Sequence, residues 1–181
     1  MRHFTKTIAV TIATVFVMTF TSLANGNCDV AFASNIGTST EISKNTDGSS
    51  YVQELPITQD DKKKNAAINA FLLLNKIRRE NGLNVLTWND DLGPAALIRA
   101  QETTILWSHT RPDGTDWYTV NPDLVYGENL ANGYTTAENV VNAWMTSSTH
   151  KENILSSEFT SGNIQIVENS NGTWYWAEEF Y

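Results

Sequence analysis

The sequence is poor in cysteine, in basic residues and, beyond its start, in long apolar runs. Cys28 is the only cysteine, so no intrachain disulfide can form and a packed core must hold the fold together. Lysine and arginine total 12 against 20 aspartates and glutamates, which gives a net charge of −8. This balance argues against a nucleic-acid partner, whose recognition requires a basic face. No later apolar stretch is long enough for a stable membrane anchor.

The first 33 residues have the pattern of a secretory signal peptide. Arg2 and Lys6 precede the apolar run "TIAVTIATVFVMTF", and "AFA" at 31–33 is a small-x-small cleavage site. We therefore predict a signal peptide over residues 1–33 and a secreted, extracellular protein. A cut after Ala24, in "SLA", is the alternative to a cut after Ala33, and the choice decides whether Cys28 is retained.

Residues 34–59 are rich in Ser, Thr, Asn and Gly, with few apolar residues at regular spacing. This composition predicts a flexible polar leader. The pattern of a folded domain begins near Asp60 and continues to residue 181, a length typical of one domain.

Apolar residues at spacings of three and four predict three helices in this domain. The first begins near Asp60, carries Ile68, Phe71, Leu72 and Asn75, and stops at Gly82. The second carries Leu92, Ala96, Ala100 and Thr103 and ends near Trp107. The third follows Thr136 as its N-cap and carries Ala137, Val140, Val141 and Trp144.

Near the end of the chain, the helical spacing of apolar residues gives way to short alternating or apolar segments. The segments "NIQIVE" and "TWYWAEEFY" alternate or run apolar over short lengths, and "NSNG" between them is a hairpin signal. Helices followed by an antiparallel sheet predict an α+β fold.

Three residues of this domain are candidates for chemistry. Thr149 and Glu152 have the spacing of a capping box, which places His150 on the first turn of a short helix, where the dipole favours a neutral ring. His109 lies in the turn-rich "SHTRPDGT", and Glu128 lies in the apolar-flanked "YGENLA". Each has an ordinary interpretation as a loop, first-turn or surface residue. Together they provide the two imidazoles and one carboxylate of an open zinc site, although their spacing does not establish that they meet.

Several segments together resemble the CAP superfamily of cysteine-rich secretory, antigen and pathogenesis-related proteins, in its bacterial, cysteine-free branch. They are "NKIRRENGLNVLTWNDDL", "SHTRPDGT", "YGENLANGYTTAENVVNAWMTSSTHKENIL" and "NGTWYWAEEF", within residues 66–181 and in the family's order. The resemblance implies a CAP (SCP-like) domain over 60–181, built as a three-layer α-β-α sandwich with a central antiparallel sheet. It also implies that His109, Glu128 and His150 converge in a cleft and there bind a divalent cation such as zinc.

The sequence departs from the family pattern at the fourth cleft position. Many eukaryotic members carry a second cleft glutamate three residues after the tryptophan of the third helix, where this chain has Ser147. Three of the four cleft groups therefore remain.

Three functions are compatible with these residues. The first is an extracellular binding module with a cation-binding cleft and an unknown ligand, which would be a protein, a lipid or a cell-wall component. The second is a zinc-dependent hydrolase that uses Glu128 as a ligand or general base. The third is a structural or lipid-contacting protein with a vestigial cleft. No G-x-S-x-G nucleophile motif is present. The residues do not decide whether the chain is an enzyme.

Overall fold

The computed structural model describes residues 40–44, 50–54 and 58–181, which fall into two units with a boundary in the chain between Thr58 and Gln59. In the first unit, strands β1 (Thr40–Lys44) and β2 (Ser50–Glu54) form an antiparallel pair. This pair lies within the segment expected to be a flexible leader, so part of that segment has regular structure. The signal peptide over residues 1–33 lies outside the described residues.

Helix α1 spans Gln59–Glu80 and matches the prediction at both ends. Acidic residues occupy its first turn and basic residues its last, as the helix dipole favours. Gly82, at φ 73°, supplies the left-handed residue beyond its end. The buried face is rotated from the expected one, because Ala67 and Leu74 are buried while Ile68 and Leu72 are exposed.

Helix α2 spans Gly93–Thr103 and begins with Pro94 in its first turn. The helix ends at Thr103, whereas the sequence pattern predicted an end four residues later, near Trp107. The hydroxyls of Thr103 and Thr104 donate to the carbonyls of Ala100 and Gln101, and such local bonds compete with helix continuation.

Helix α3 spans Ala137–Thr146, and the Thr136 hydroxyl accepts from the Asn139 N–H as its N-cap, as predicted. Helix α4 spans Ser148–Ile154, one residue earlier than expected. The predicted capping box of Thr149 and Glu152 is wrong. Ser147 is the N-cap, and its side chain forms no capping bond because its hydroxyl faces that of Thr149 instead.

The second unit has a four-stranded sheet in the order β3-β5-β6-β4. Strand β6 pairs antiparallel with β5, which confirms the predicted hairpin, and also antiparallel with β4. The sheet is nevertheless mixed, because the two residues of β3 pair parallel with β5. Its strands are β3 (Thr87–Trp88), β4 (Gly127–Asn132), β5 (Ser161–Glu168) and β6 (Trp174–Phe180).

Helices cover both faces of this sheet, which confirms the three-layer α-β-α sandwich. Helices α1 and α3 pack on the face that carries Ile164, Trp176 and Phe180. Helix α2 packs on the opposite face, against Ala177 and Leu130. In the part of the chain that the structure describes, no helix has the length and apolar character needed to cross a membrane.

Candidate functional site

His109 lies beyond α2, in a turn closed by the bridge between Thr110 and Asp116. Its side chain is about half exposed, and its Nδ1 lies 2.7 Å from Oε1 of Glu128. A carboxylate can only accept, so the proton between them belongs to Nδ1. Nε2 is then the ring nitrogen available to a ligand.

Glu128 is on β4, and only 1% of its side chain is exposed. Its charge is compensated by Arg99 of α2, which donates from Nε to Oε2 at 2.6 Å and from Nη2 to Oε1 at 3.2 Å. With the contact to His109, both carboxylate oxygens are occupied. Glu128 therefore has the geometry of a group that orients His109.

Arg99 is the centre of a charge network that the sequence analysis missed. Its guanidinium also pairs with Glu102, which in turn pairs with Arg111, and it donates to the Ser108 carbonyl at 2.9 Å. Burial alone would lower the pKa of Arg99, but the hydrogen bonds and charges of Glu128 and Glu102 raise it. Arg99 thus fixes the Glu128 carboxylate and the backbone before His109 at the same time.

His150 lies on the first turn of α4, as predicted. Burial lowers the pKa of its imidazole, and the neighbouring His109 lowers it further. The His150 carbonyl accepts from Nδ2 of Asn129, at 3.3 Å, and Asn153 donates to Oδ1 of Asn129. These bonds fix α4 against β4 and so position His150 at the pocket.

His109, Glu128 and His150 line one pocket of about 290 Å³, so the structure brings the three predicted residues together. The other residues of this pocket are Trp117, Tyr126, Gly127, Thr149, Glu152 and Asn153. A larger, mainly apolar cavity of about 720 Å³ lies between α1 and β5, and none of the three residues lines it.

A metal ion would find an incomplete ligand set in this arrangement. Among the described residues, no group of three or more His, Cys, Asp or Glu side chains is placed to hold a metal ion. At the pocket, Glu128 is not free to bind a metal ion, because ligation would require breaking its bonds to Arg99 and His109. Metal binding by His109, Glu128 and His150 stays a prediction.

Two further buried carboxylates, Glu178 and Glu179, are on β6 and also escaped the sequence analysis. Glu178 accepts from Nδ2 of Asn129 at 3.0 Å through Oε2, while its Oε1 has no partner among the described residues. Burial raises its pKa to about 8, against the opposing effects of Asn129 and Arg78.

Glu179 projects to the opposite face, where it is the cross-strand partner of Glu128. Its side chain is completely buried beside the Glu128 carboxylate. Burial and the adjacent Glu128 carboxylate raise its pKa well above the usual range. The signal in the sequence was the acidic pair inside the apolar strand "WYWAEEF". Ser147, which occupies the family's second cleft position, does not line the pocket.

Comparison with known proteins places the second unit in a recognisable group. Residues 71–180 match the model of the CAP, cysteine-rich secretory protein family. The protein YkwD of Bacillus subtilis is 30% identical over 115 residues, which is 60% of this chain and 44% of YkwD. This chain therefore spans less than half the length of that relative.

Solved structures resemble the chain in fold. An outer surface protein of Borrelia burgdorferi has a TM-score of 0.53 at 21% identity, over 65% of this chain and 92% of that one. An extracellular protein containing a SCP domain from Bacillus anthracis has a TM-score of 0.56 at 20% identity, over 73% and 46%. A cysteine-rich secretory protein from Staphylococcus aureus has a TM-score of 0.53 at 18% identity, over 76% and 45%.

Proposed function

The chain belongs to the CAP family of cysteine-rich secretory proteins, and on that premise we propose that it is an extracellular binding module whose His109–His150 pocket takes a divalent cation. The observation that carries the proposal is the complete occupation of the Glu128 carboxylate by Arg99 and His109. A carboxylate held in this way orients an imidazole and leaves its Nε2 available to a ligand.

A cation in this pocket would be held by ring nitrogens of His109 and His150, with Glu128 behind His109. The two imidazoles would supply two of the cation's ligands, and the carboxylate–histidine arrangement is one that metal sites use to fix the tautomer. The bound cation would add a positive charge to a pocket whose lining includes no lysine or arginine. Catalytic zinc sites generally use three protein ligands, and the two histidines supply one fewer.

The zinc-dependent hydrolase is less well supported as the function. A general base needs a carboxylate within reach of a water, and Glu128 is almost fully buried and paired with Arg99. A vestigial cleft is less well supported, because the bond between Glu128 and His109 still orients an imidazole whose Nε2 is available to a ligand.

Extracellular location is supported by the predicted signal peptide, with Arg2 and Lys6 before the apolar run, and by the family to which the chain belongs. The acidic net charge is compatible with a protein, lipid or cell-wall partner and unfavourable for nucleic acid.

Zinc titration of the full chain, followed by thermal unfolding, tests the proposal. We expect stabilisation of roughly 2.7 kcal/mol when free zinc is about 100 times the dissociation constant. The effect should be lost in His109→Ala and in His150→Ala, and retained in Lys151→Ala, an exposed neighbour of His150 on the same helix. An equal zinc response in the wild type and both histidine variants would refute the site.

A further inference from the structure

Two aromatic side chains line the pocket that contains His109 and His150. Trp117 and Tyr126 line it, and 59% of Tyr126 is exposed although its ring is apolar. Each has an aromatic neighbour outside the lining. Tyr118 packs edge-on against Trp117 at 5.7 Å between centroids, and Tyr181 packs against Tyr126 at 5.6 Å. These contacts restrict the orientations of the two lining rings, so the pocket presents ordered aromatic surface to solvent.

The remaining lining is polar and carries little net charge. No lysine or arginine is among the lining residues, so without a bound cation the pocket disfavours phosphate, sulfate and carboxylate ligands. The charge of Glu128 is compensated by Arg99. Glu152 has no hydrogen-bond or ion-pair partner among residues 58–181, so its carboxylate can accept from a ligand. A neutral ligand with many hydroxyl groups suits this surface best.

Donors and acceptors for such hydroxyls lie on α4 and beside it. The hydroxyl of Thr149, the carboxylate of Glu152 and the ring of His150 belong to one short helix and line the same pocket. Asn153 uses its amide nitrogen on the carbonyl of Glu128 and on Asn129, which leaves its Oδ1 as an acceptor. Polar groups and aromatic rings that line one pocket match a pyranose ring, which has apolar C–H faces and a hydroxylated rim.

We propose that the organic ligand of this pocket is a saccharide, with sugar rings against Trp117 and Tyr126 and hydroxyls on the polar groups of α4. The inference rests on the proposed function, because it names the ligand class of the same binding pocket. The volume of about 290 Å³ lies just below the roughly 300–1,000 Å³ typical of ligand pockets, so the pocket has room for only one or two rings of a longer chain.

The test uses chitotetraose and cellotetraose as probes, titrated into the full ¹⁵N-labelled chain in EDTA. The readout is the indole N–H signal of Trp117. We expect a saturable shift with at least one sugar and a loss of affinity of roughly two- to tenfold in Tyr126→Ala, since an aromatic contact contributes roughly 0.5–1.5 kcal/mol. Tyr126→Phe, which keeps the ring, should bind like the wild type. Trp107→Ala removes another half-exposed aromatic residue outside the pocket and should have no effect.

Three outcomes would overturn the saccharide. The first is no saturable shift with either sugar, while zinc still stabilises the chain through His109 and His150, in which case the proposed function survives. The second is unchanged sugar affinity in Tyr126→Ala, which would place binding elsewhere. The third is saturable, Tyr126-dependent binding of tetramethylammonium without sugar binding, which would make the pocket an aromatic site for cations. Sugar binding without any histidine-dependent zinc response would instead support the saccharide and remove the cation from the proposed function.

Discussion

Asn129 and Glu178 are register partners on β4 and β6, and Nδ2 of Asn129 donates to Oε2 of Glu178 over 3.0 Å. The same Asn129 nitrogen lies 3.3 Å from the carbonyl of His150. One amide therefore connects a buried carboxyl group on the sheet to the helix that carries a pocket histidine. A change at Glu178 therefore alters the bonding of Asn129, which fixes α4 to the sheet.

Glu178→Gln should flatten the dependence of stability on pH. The pKa of Glu178 is about 8 in the folded protein, above its ordinary value of 4.5, so the folded state binds more protons between these two values. Stability from this group is present at low pH and is lost as pH rises toward 8, by on the order of a few kcal/mol. Urea unfolding of wild type and variant at several pH values measures this. Glu80→Gln, an exposed substitution on α1, is the control and should leave the wild-type dependence intact. A Glu178→Gln variant with the wild-type slope would contradict the assignment.

Arg99→Gln should destabilise the fold strongly, because it leaves Glu128 and Glu102 without their shared cation. Removing one partner of a buried pair typically costs about 3–5 kcal/mol. Arg111→Gln removes the outer, more exposed arginine of the same network and should cost about 1 kcal/mol or less. Chemical denaturation measures the free energy of unfolding of both variants. Equal losses of stability would show that the burial of Arg99 does not increase its contribution.

His150 should titrate below the ordinary histidine range, because burial and the neighbouring His109 lower its pKa. The unfolded chain then binds the proton more readily, so stability should fall as pH drops below ~6.5. NMR titration of the imidazole C–H signals measures the pKa directly. In His109→Ala the pKa of His150 should rise part of the way back, and a value above the ordinary one in the wild type would contradict the structure.

A chain starting at Asp60 should fold with nearly the stability of a chain that keeps the leader. The buried apolar residues of the second unit all lie after residue 66, so that unit has a core of its own. Differential scanning calorimetry of the two chains compares them. A melting temperature lower by more than a few degrees in the shorter chain would show that the leader stabilises the domain.

The sequence predicted the elements whose cause is local. Alternation of apolar residues and the "NSNG" turn were sufficient for the β5–β6 hairpin, and Thr136 was sufficient for the start of α3. The end of α2 was misplaced because threonine hydroxyls satisfied the carbonyls of its last turn. The capping box failed because Ser147, two positions before Thr149, is the N-cap of α4.

The candidate site was predictable only as far as residue types and a family resemblance allow. His109, Glu128 and His150 were identified, but the sequence did not indicate that Glu128 would be bonded to Arg99, 29 residues earlier. Such partners depend on how α2 packs against β4, which no local pattern records. Glu178 and Glu179 were missed for a related reason, since a charged pair at the end of a strand usually indicates solvent exposure.

The most direct measurement is a long-range ¹H–¹⁵N NMR spectrum of the imidazoles at about pH 8, where histidines are neutral. The account requires Glu128 to hold His109 by its Nδ1–H, so that Nε2 remains free for a ligand. It predicts that His109 is protonated at Nδ1 in the wild type, and that this preference weakens in Glu128→Gln, whose amide can donate as well as accept. A wild-type His109 protonated at Nε2, or a tautomer unaffected by Glu128→Gln, would contradict the account.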